Sequence, residues 1–247
     1  MVMKSKEVLI KKLQQDILLW QGIKPRECGK KEEMGLGPLE KAFPQGVFPR
    51  KAIHEFISIV PEHSAASNGF IGGLLSRLMA DGEACLWISA SRKLYPASLR
   101  LFNVDPDRLI FVDVSSEKEV LWVLEEALKC EGLAAVVAEL NDLSLIESRR
   151  LQLAVEQSGV TGILLRKDAR KVLSNVASAR WRITPLASVT EEGMPGLGFP
   201  RWRVELTKVR NGNPGEWEFQ WGEDGFLELE KAAPVQGGLV IEQRLLG

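Results

Sequence analysis

Short apolar segments alternate with amphipathic segments through the middle of this sequence, and that alternation is the feature that most restricts its fold. Apolar runs as long as a single strand occupy residues 52–60, 84–89, 109–114, 134–140 and 160–165. The segments between them include ranges with helical spacing of apolar residues, at 70–80, 95–102, 117–129 and 145–158. Continuous apolar strands joined by helices are typical of a parallel sheet that is covered on both faces. The sequence therefore predicts an α/β fold with a mainly parallel sheet flanked by helices.

The last third of the chain has a different periodicity. Residues 180–183, 201–208 and 216–221 alternate polar and apolar side chains, which is the pattern of a strand with one buried face. Between the last two ranges, residues 211–215 have the Asn, Gly and Pro content of a turn. We therefore predict a C-terminal antiparallel hairpin added to the parallel sheet. The Gly- and Pro-rich segment 187–200 is expected to form a surface loop.

Composition divides the chain into parts. Residues 5–20 have the apolar spacing of an amphipathic helix, and the polar residues that follow read as a linker, so 1–33 form an N-terminal extension. This helix either docks on its own domain or serves as a detachable element that binds a partner. The core is expected to span 34–222, and residues 223–247 are expected to form a C-terminal tail.

Charge and cysteine content argue against several classes of protein. The formal net charge of −1 supplies no overall attraction to nucleic acid. The 3 cysteines are widely spaced and form no C-x-x-C pair, so neither a disulfide framework nor a structural zinc site is expected. No apolar run approaches the roughly 18 residues that a membrane span needs. We therefore expect a cytoplasmic protein without a bound cofactor or metal ion.

The order of motifs along the predicted core carries a resemblance. A glycine-led turn at 35–40 precedes the first predicted strand. The next segment in this order is a predicted strand with the residues that follow it, 86–91. It is followed by a segment that begins Asn-Val-Asp, 103–109, and then by an apolar strand that ends in an acidic residue, 135–139. This order resembles that of RecA-like recombinases, in which a phosphate loop follows the first core strand. The resemblance implies a RecA-like core over roughly residues 34–221.

Shorter segments narrow the resemblance to one family. These segments are 125–128, 137–140, 148–154, 179–182, 200–206 and 214–217. They are similar to the ImuA family, the RecA-like, SulA-related accessory component of bacterial error-prone translesion synthesis. The resemblance implies a non-catalytic accessory subunit of damage-induced (SOS) mutagenesis. The partners that it implies are an inactive Y-family polymerase homologue and an error-prone replicative-type polymerase.

Other partners and one other function stay open at the level of sequence. RecA, a sliding clamp and DNA are further candidate partners, and residues 236–241 loosely match the Q-x-x-L-x-[FI] peptide that clamp pockets accept. The alternative function is that of a SulA-like cell-division inhibitor that binds the division tubulin homologue, since both families share a degenerate RecA-like core. The N-terminal helix, the chain length and the loop at 187–200 favour the mutagenesis subunit.

The segment at the phosphate-loop position, 60–70, departs from a working phosphate loop. Such a loop needs G-x-x-x-x-G-K-[S/T], and this segment contains no lysine. Its small and polar residues, Ser64, Ser67, Asn68 and Gly69, are compatible with two structures. They can form an anion-binding helix N-terminus, or a plain strand-to-helix loop that is capped by Ser67 or Asn68.

Two further positions argue against ATP hydrolysis. By the resemblance, Ser91 stands where RecA-like enzymes place the glutamate that activates water, and a neutral hydroxyl is a poor base at pH 7. Glu139 stands where the acid after the third core strand is usually aspartate. Both Glu139 and Asp142 lie near a strand end where a metal ion can bind, but without the loop lysine we expect them to be capping residues. We therefore predict a protein that binds partners and does not hydrolyse ATP.

Two groups of basic residues are candidates for nucleic-acid or partner contacts. The first is Arg180, Arg182, Arg201 and Arg203, in two Arg-Trp-Arg motifs. Alternation along a strand also allows these tryptophans to enter the core while the arginines pair with glutamates across the hairpin. The second group is Arg166, Lys167, Arg170 and Lys171, which form either a solvated loop or a weak electrostatic contact with DNA or a polymerase.

Overall fold

The structure is a computed structural model, and it describes residues 34–167, 175–190, 196 and 198–229. The predicted N-terminal helix, the basic residues Arg170 and Lys171, and the clamp-like peptide at 236–241 lie outside the described residues. Part of the predicted loop at 187–200 also lies outside them.

These residues form one nine-stranded sheet in the order β3-β2-β4-β5-β1-β6-β7-β8-β9. The strands are β1 Ile53–Ser58, β2 Ala84–Ser89, β3 Leu109–Asp113, β4 Leu133–Leu140, β5 Thr161–Lys167, β6 Ala179–Leu186, β7 Arg201–Val209, β8 Gly215–Gly222 and β9 Gly225–Leu229. The α-helices are α1 Pro61–Leu78, α2 Glu117–Ala127 and α3 Leu145–Ser158. Short 3₁₀ helices occupy Gly37–Ala42, Pro44–Gly46, Pro96–Phe102 and Pro106–Arg108. None of the helices in the described part of the chain has the length and apolar run needed to cross a bilayer.

The sheet combines two kinds of strand pairing. Strands β3, β2, β4, β5, β1 and β6 run parallel to their neighbours. From β6 onward the pairing is antiparallel, through β7 and β8 to β9 at the edge. The predicted α/β class, with a parallel sheet and an antiparallel C-terminal addition, is confirmed.

The two faces of the sheet bury different cores. On one face, helix α1 packs on an aromatic cluster in which Phe56 and Trp181 stack with ring centroids 5.4 Å apart. Phe70 of α1 lies 5.9 Å from the same Trp181 ring. On the other face, α2 and α3 bury aliphatic residues such as Leu124 and Leu151. Aromatic rings bury large areas and interact edge to face, so the aromatic layer stabilises the junction of the parallel and antiparallel strands.

Glycines allow α1 to lie close to the C-terminal strands. A Cβ atom at Gly73 would lie 2.6 Å from the Phe226 ring and 2.7 Å from the Trp221 ring. At Gly69 it would lie 2.9 Å from the ring of Phe102. Because real Cβ atoms do not approach so closely, these positions need the absence of a side chain. Gly69 and Gly73 therefore allow α1 to pack closely against these aromatic rings.

The sheet continues beyond the predicted end of the core. Residues placed in the tail that begins at 223 form β9, which pairs with β8 so that Phe226 lies opposite Trp221. Phe226 is buried against α1, and its ring centroid lies 4.8 Å from that of Phe70. The segment is too short to display a clear alternation, which is why the sequence pattern did not reveal this strand.

Candidate functional site

The candidate site is the edge of the parallel sheet at which β1, β2, β4 and β5 end. In open α/β sheets, ligands bind outside the carboxyl ends of the strands, because loops and helix N-termini converge there. It is also the edge at which the sequence placed the degenerate phosphate loop. The side chains that meet there decide whether the edge can hold a nucleotide.

Helix α1 occupies the place of the phosphate loop. It begins at Pro61, three residues after β1 ends at Ser58, whereas the sequence predicted a loop that reached to residue 70. The residues assigned to the degenerate loop, namely Ser64, Ser67, Asn68 and Gly69, all lie inside the helix. Neither Ser67 nor Asn68 is a cap, since Val60 is the N-cap and makes no side-chain hydrogen bond. Both structures considered for this segment are therefore wrong.

Internal packing accounts for two of these residues, Ser67 and Gly69. Ser67 is fully buried, and its hydroxyl oxygen lies 3.5 Å from that of Ser58. Gly69 faces the rings of Phe102 and Trp202, where a side chain would not fit. A short polar pattern is compatible with a loop and with a helix, and here the packing of α1 against aromatic rings decided in favour of the helix.

The start of α1 offers few free donors to a phosphate. Pro61 has no N–H group, and the N–H groups of His63 and Ser64 donate to the Val60 carbonyl at 3.1 and 3.3 Å. Glu62 adds a carboxylate to the first turn, and a carboxylate repels an anion. This helix start therefore lacks the row of converging N–H groups that cradles phosphates in a phosphate loop.

Glu139, near the end of β4, accepts hydrogen bonds from side chains of two strands, β2 and β5, and from Ser91, two residues after the end of β2. Its Oε2 atom accepts hydrogen bonds from Ser89 at 2.8 Å, Ser91 at 2.6 Å and the Lys167 ammonium at 2.5 Å. Its Oε1 atom accepts a longer one from Trp87 at 3.4 Å. Burial acts to raise the pKa of Glu139, but the hydrogen bonds and the charge of Lys167 outweigh it and lower the pKa. Glu139 is therefore an ionised, internally paired carboxylate and not the capping residue that we expected.

A second cluster lies on the other face of the same edge, around Glu55 in β1. Its two carboxylate oxygens accept from Arg166 at 2.7 Å and from Arg180 at 2.6 Å, and Asn175 adds a donor at 2.8 Å. Both Glu55 and Arg166 have side chains that are 0% exposed. Buried charges of this kind persist only when they are paired and hydrogen-bonded. This cluster ties β1, β5 and β6 together.

The prediction that Arg166 contacts nucleic acid or a partner is wrong. Its guanidinium is buried and donates to Glu55, to the carbonyl of Asn141 at 3.1 and 3.2 Å, and to Asp142 at 3.2 Å. A side chain without solvent exposure cannot reach a phosphate backbone. Asp142 is thereby an ion-pair partner and not a helix cap, because Ser144 caps α3.

Lys167 and the arginines of the two Arg-Trp-Arg motifs also have partners within the fold. Lys167 pairs with Glu139, so its ammonium points into the edge cluster. Across the hairpin, Arg182 pairs with Glu205, and Arg203 pairs with Glu218 and, at 3.8 Å, with Glu216. The pairings are completed by Arg201 with Gln220 at 2.7 Å and Arg180 with Glu55. Trp181 and Trp202 are buried, as expected if strand alternation turns them into the core.

Two members of the edge, Glu55 and Asn175, were not predicted from the sequence. The signal for Glu55 was present, because it is a lone carboxylate in the apolar run 52–60 and a buried charge needs a partner. The identity of its partners was not legible, since Arg166 and Arg180 are distant in sequence and meet Glu55 only in the sheet. Asn175 carries no comparable signal.

Chemically, the charged side chains of the two clusters at this edge are paired with one another. Glu55, Glu139 and Asp142 each accept from a cation of the chain, and Arg166, Lys167 and Arg180 each have an internal acceptor. His54, beneath it in β1, is fully buried, and burial lowers its pKa to about 4. It donates from Nε2 to the Pro49 carbonyl at 2.8 Å because its Nδ1 accepts from Trp181 at 3.2 Å. It is a structural histidine.

This geometry defines a class, namely a RecA-like α/β protein in which a helix and internal ion pairs occupy the phosphate-loop edge. A solved structure described as the RadB recombinase shares the fold, with a TM-score of 0.55 at 15% identity over 80% of this chain and 99% of that one. No family model matches the chain. Two curated proteins named ImuA, from Caulobacter vibrioides strains NA1000 / CB15N and ATCC 19089 / CIP 103742 / CB 15, are 36% identical over 199 residues. Each match covers 76% of this chain and 82% of the relative, and the chain belongs to the ImuA family.

Proposed function

We propose that this protein is a non-catalytic accessory subunit of damage-induced mutagenesis, and that it binds polymerase-type partners during translesion DNA synthesis. Membership of the ImuA family supports the biological setting. The observation that carries the non-catalytic part is the start of α1 at Pro61, where a working RecA-like ATPase has its phosphate loop. The same membership favours this role over that of a division inhibitor.

The chemistry of the edge supports a binding role. Phosphoryl transfer depends on positioned cations and donors that stabilise the charge of the transferring group. Here the lysine of the edge, Lys167, is used by Glu139, and the position of the activating glutamate is held by Ser91, whose hydroxyl donates to Glu139. A metal ion at Glu139 would have to displace the Lys167 ammonium. Among the described residues, the outer surface of the domain is the part that we take to bind the partner.

The non-catalytic part is tested by phosphate release from ATP with the purified full-length protein, with and without single-stranded DNA. We expect no release above that of the buffer, with an active RecA-type ATPase as the positive control. The matched variant is Glu139→Gln, which removes the carboxylate of the edge. Turnover that survives stringent purification and disappears in Glu139→Gln would overturn the proposal.

The partner is tested separately, by isothermal titration with the inactive Y-family polymerase homologue encoded by the same organism. We expect a saturable one-to-one complex that does not depend on added nucleotide. Binding that requires ATP would mean that a nucleotide site exists elsewhere on the chain. A complex with the division tubulin homologue, in place of the polymerase homologue, would select the SulA-like alternative.

A further inference from the structure

A groove opens between helices α2 and α3 at their N-terminal ends, on the opposite face of the sheet from α1. Its volume is about 480 Å³. The apolar part of its lining is formed by Leu121 of α2, Leu140 at the end of β4, and Leu143 before α3. The groove is separate from the two charge clusters around Glu55 and Glu139. It shares only Asp142 with them, as part of its polar lining.

On both helices an exposed apolar residue is adjacent in sequence to a residue that lines this groove. Trp122 follows Leu121 and is 66% exposed, and Ile146 precedes the groove residue Glu147 and is 76% exposed. The Arg150–Glu125 ion pair bridges the two helices. Trp122 lies one turn before Glu125, and Ile146 lies one turn before Arg150, so the two apolar side chains stand at the same level on neighbouring helices.

Exposure of these two apolar side chains to water is unfavourable when no partner covers them. A tryptophan that is 66% exposed beside a groove with an apolar floor is uncommon on a monomer, and tryptophan is among the residues most enriched at binding hot spots. Both helices bury the opposite side of their surface, through residues such as Leu124 and Leu151. The exposure of Trp122 and Ile146 is therefore not explained by the packing of this domain.

The charge around the groove selects the occupant. Three carboxylates line it, those of Glu117, Asp142 and Glu147, against the single cation Lys118, and one oxygen of Glu147 also accepts from the Ser144 N–H at 2.8 Å. Asp142 is partly neutralised by Arg166, but its side chain is still 86% exposed. An occupant with basic residues beside an apolar stripe fits this lining. A groove between two helices accepts the apolar stripe of a third helix, with anchors spaced one turn apart.

We propose that the groove between α2 and α3 is the docking site for an amphipathic helix of the partner protein, with apolar anchors against Trp122, Ile146 and Leu121 and with lysine or arginine opposite Glu117 and Glu147. The proposal rests on the proposed function, since it takes the partner to be the polymerase homologue. It locates the contact on the helical face opposite the aromatic core.

The experiment measures the Kd of the full-length protein and its variants for the purified polymerase homologue. Trp122→Ala is expected to weaken binding about 30-fold, the effect of losing a hot-spot residue. Leu101→Ala is the matched control, because Leu101 is 70% exposed and lies on the 3₁₀ helix Pro96–Phe102, which packs with α1. Its Kd is expected to equal that of the wild type.

Charge is tested by a second pair of variants. Glu117→Lys places a cation at the groove and is expected to weaken binding about fivefold, with the loss shrinking as salt is added. Glu131→Lys makes the same change beyond the far end of α2 and is expected to leave the Kd unchanged. Near-UV circular dichroism is recorded for all four variants, and we expect each of them to keep the native fold.

The outcomes separate the two proposals. Equal Kd values for wild type, Trp122→Ala and Glu117→Lys would overturn the docking site and leave the proposed function standing. Failure of the wild type to bind the polymerase homologue would overturn both. If gel filtration shows self-association that Trp122→Ala abolishes, the occupant of the groove is a second copy of this chain, and the proposal of a partner helix is wrong.

Discussion

Two sets of arginine–glutamate pairs in this molecule have the same chemistry and opposite surroundings. In the parallel half, Glu55 is fully buried between Arg166 and Arg180 at the seam of β1, β5 and β6. In the antiparallel half, Arg203 pairs with Glu216 and Glu218 on a face that stays open to solvent, with side-chain exposures of 46%, 41% and 23%. Burial decides whether such a pair holds the fold together or leaves charge available at the surface. Arginine in a sequence does not by itself indicate which of the two applies.

The largest expected effect comes from removing the buried carboxylate. Glu55→Gln leaves the charges of Arg166 and Arg180 without their shared anion. Removal of one partner from a buried pair destabilises a protein by about 3–5 kcal/mol, because the remaining charge is buried without compensation. We expect a loss of that size in urea unfolding at neutral pH. A loss below about 1 kcal/mol, the range of a surface pair, would mean that the buried network does not hold the seam together.

The second effect is a pH dependence from the same strand. Burial lowers the pKa of His54 from 6.5 to about 4, so in this interval the unfolded chain binds a proton that the folded one does not. The contribution of neutral, buried His54 to the free energy of unfolding is therefore complete above pH 6.5. As the pH falls toward 4 this contribution is lost, by about 1.4 kcal/mol per pH unit and about 3 kcal/mol in all.

The contribution of His54 is isolated by comparison with His54→Gln, whose amide does not titrate. The difference in unfolding free energy between wild type and variant, measured by urea at several pH values, should shrink as the pH falls from 6.5 to 4. A difference that stays constant across this range would show that His54 is not protected from protonation by its burial.

A smaller effect is expected at the Glu139 cluster, which is partly open. Lys167→Met removes the only cation of the chain that pairs with Glu139 in the described residues, while Trp87, Ser89 and Ser91 still donate. We expect a loss of about 2 kcal/mol at neutral pH, the range for a hydrogen bond to a charged group.

The pH dependence of stability shows whether Lys167 lowers the pKa of Glu139. In the wild type its lowered pKa makes a contribution to stability that is present above about pH 4.5 and is lost as the pH falls through the folded-state value. Without Lys167 the pKa rises, and this acid-side loss should diminish or reverse. An unchanged acid limb in Lys167→Met would show that the hydrogen bonds of the serines alone keep Glu139 ionised.

The smallest effect is expected for the open pairs of the hairpin. Arg203→Ala removes both of its glutamate contacts, and exposed pairs contribute about 0–1 kcal/mol because water and salt screen them. The same urea assay at low and high salt should show almost no change. Destabilisation comparable to that of Glu55→Gln would erase the distinction between the two halves.

Most of the fold could be predicted from the sequence, and the errors in the predicted elements occur at particular residues. Strand β2 and helix α3 begin and end at the predicted residues, because apolar runs and the Ser144–Glu147 capping box mark them clearly. Helix α1 was predicted to begin at 70 and in fact begins at 61. The residues Ser64 to Gly69 have weak local preferences, so the contacts of Gly69 and Phe70 with distant rings decided their conformation. The prediction that Arg166 contacts nucleic acid or a partner was wrong for the same reason, because its buried partner Glu55 is far away in the sequence.

By itself, the sequence determined the α/β class, the antiparallel addition and the absence of a phosphate-loop lysine, because periodicity and residue identity are local properties of the chain. It also carried the likeness to the ImuA family. Only the tertiary structure decided that α1 replaces the loop, that Arg166 and Lys167 point inward, and that Trp122, next to the groove-lining residue Leu121, stays exposed. These are consequences of which strands become neighbours. A charged or aromatic side chain acquires its role from the partners and the solvent around it, and the order of β1 between β5 and β6 sets those partners.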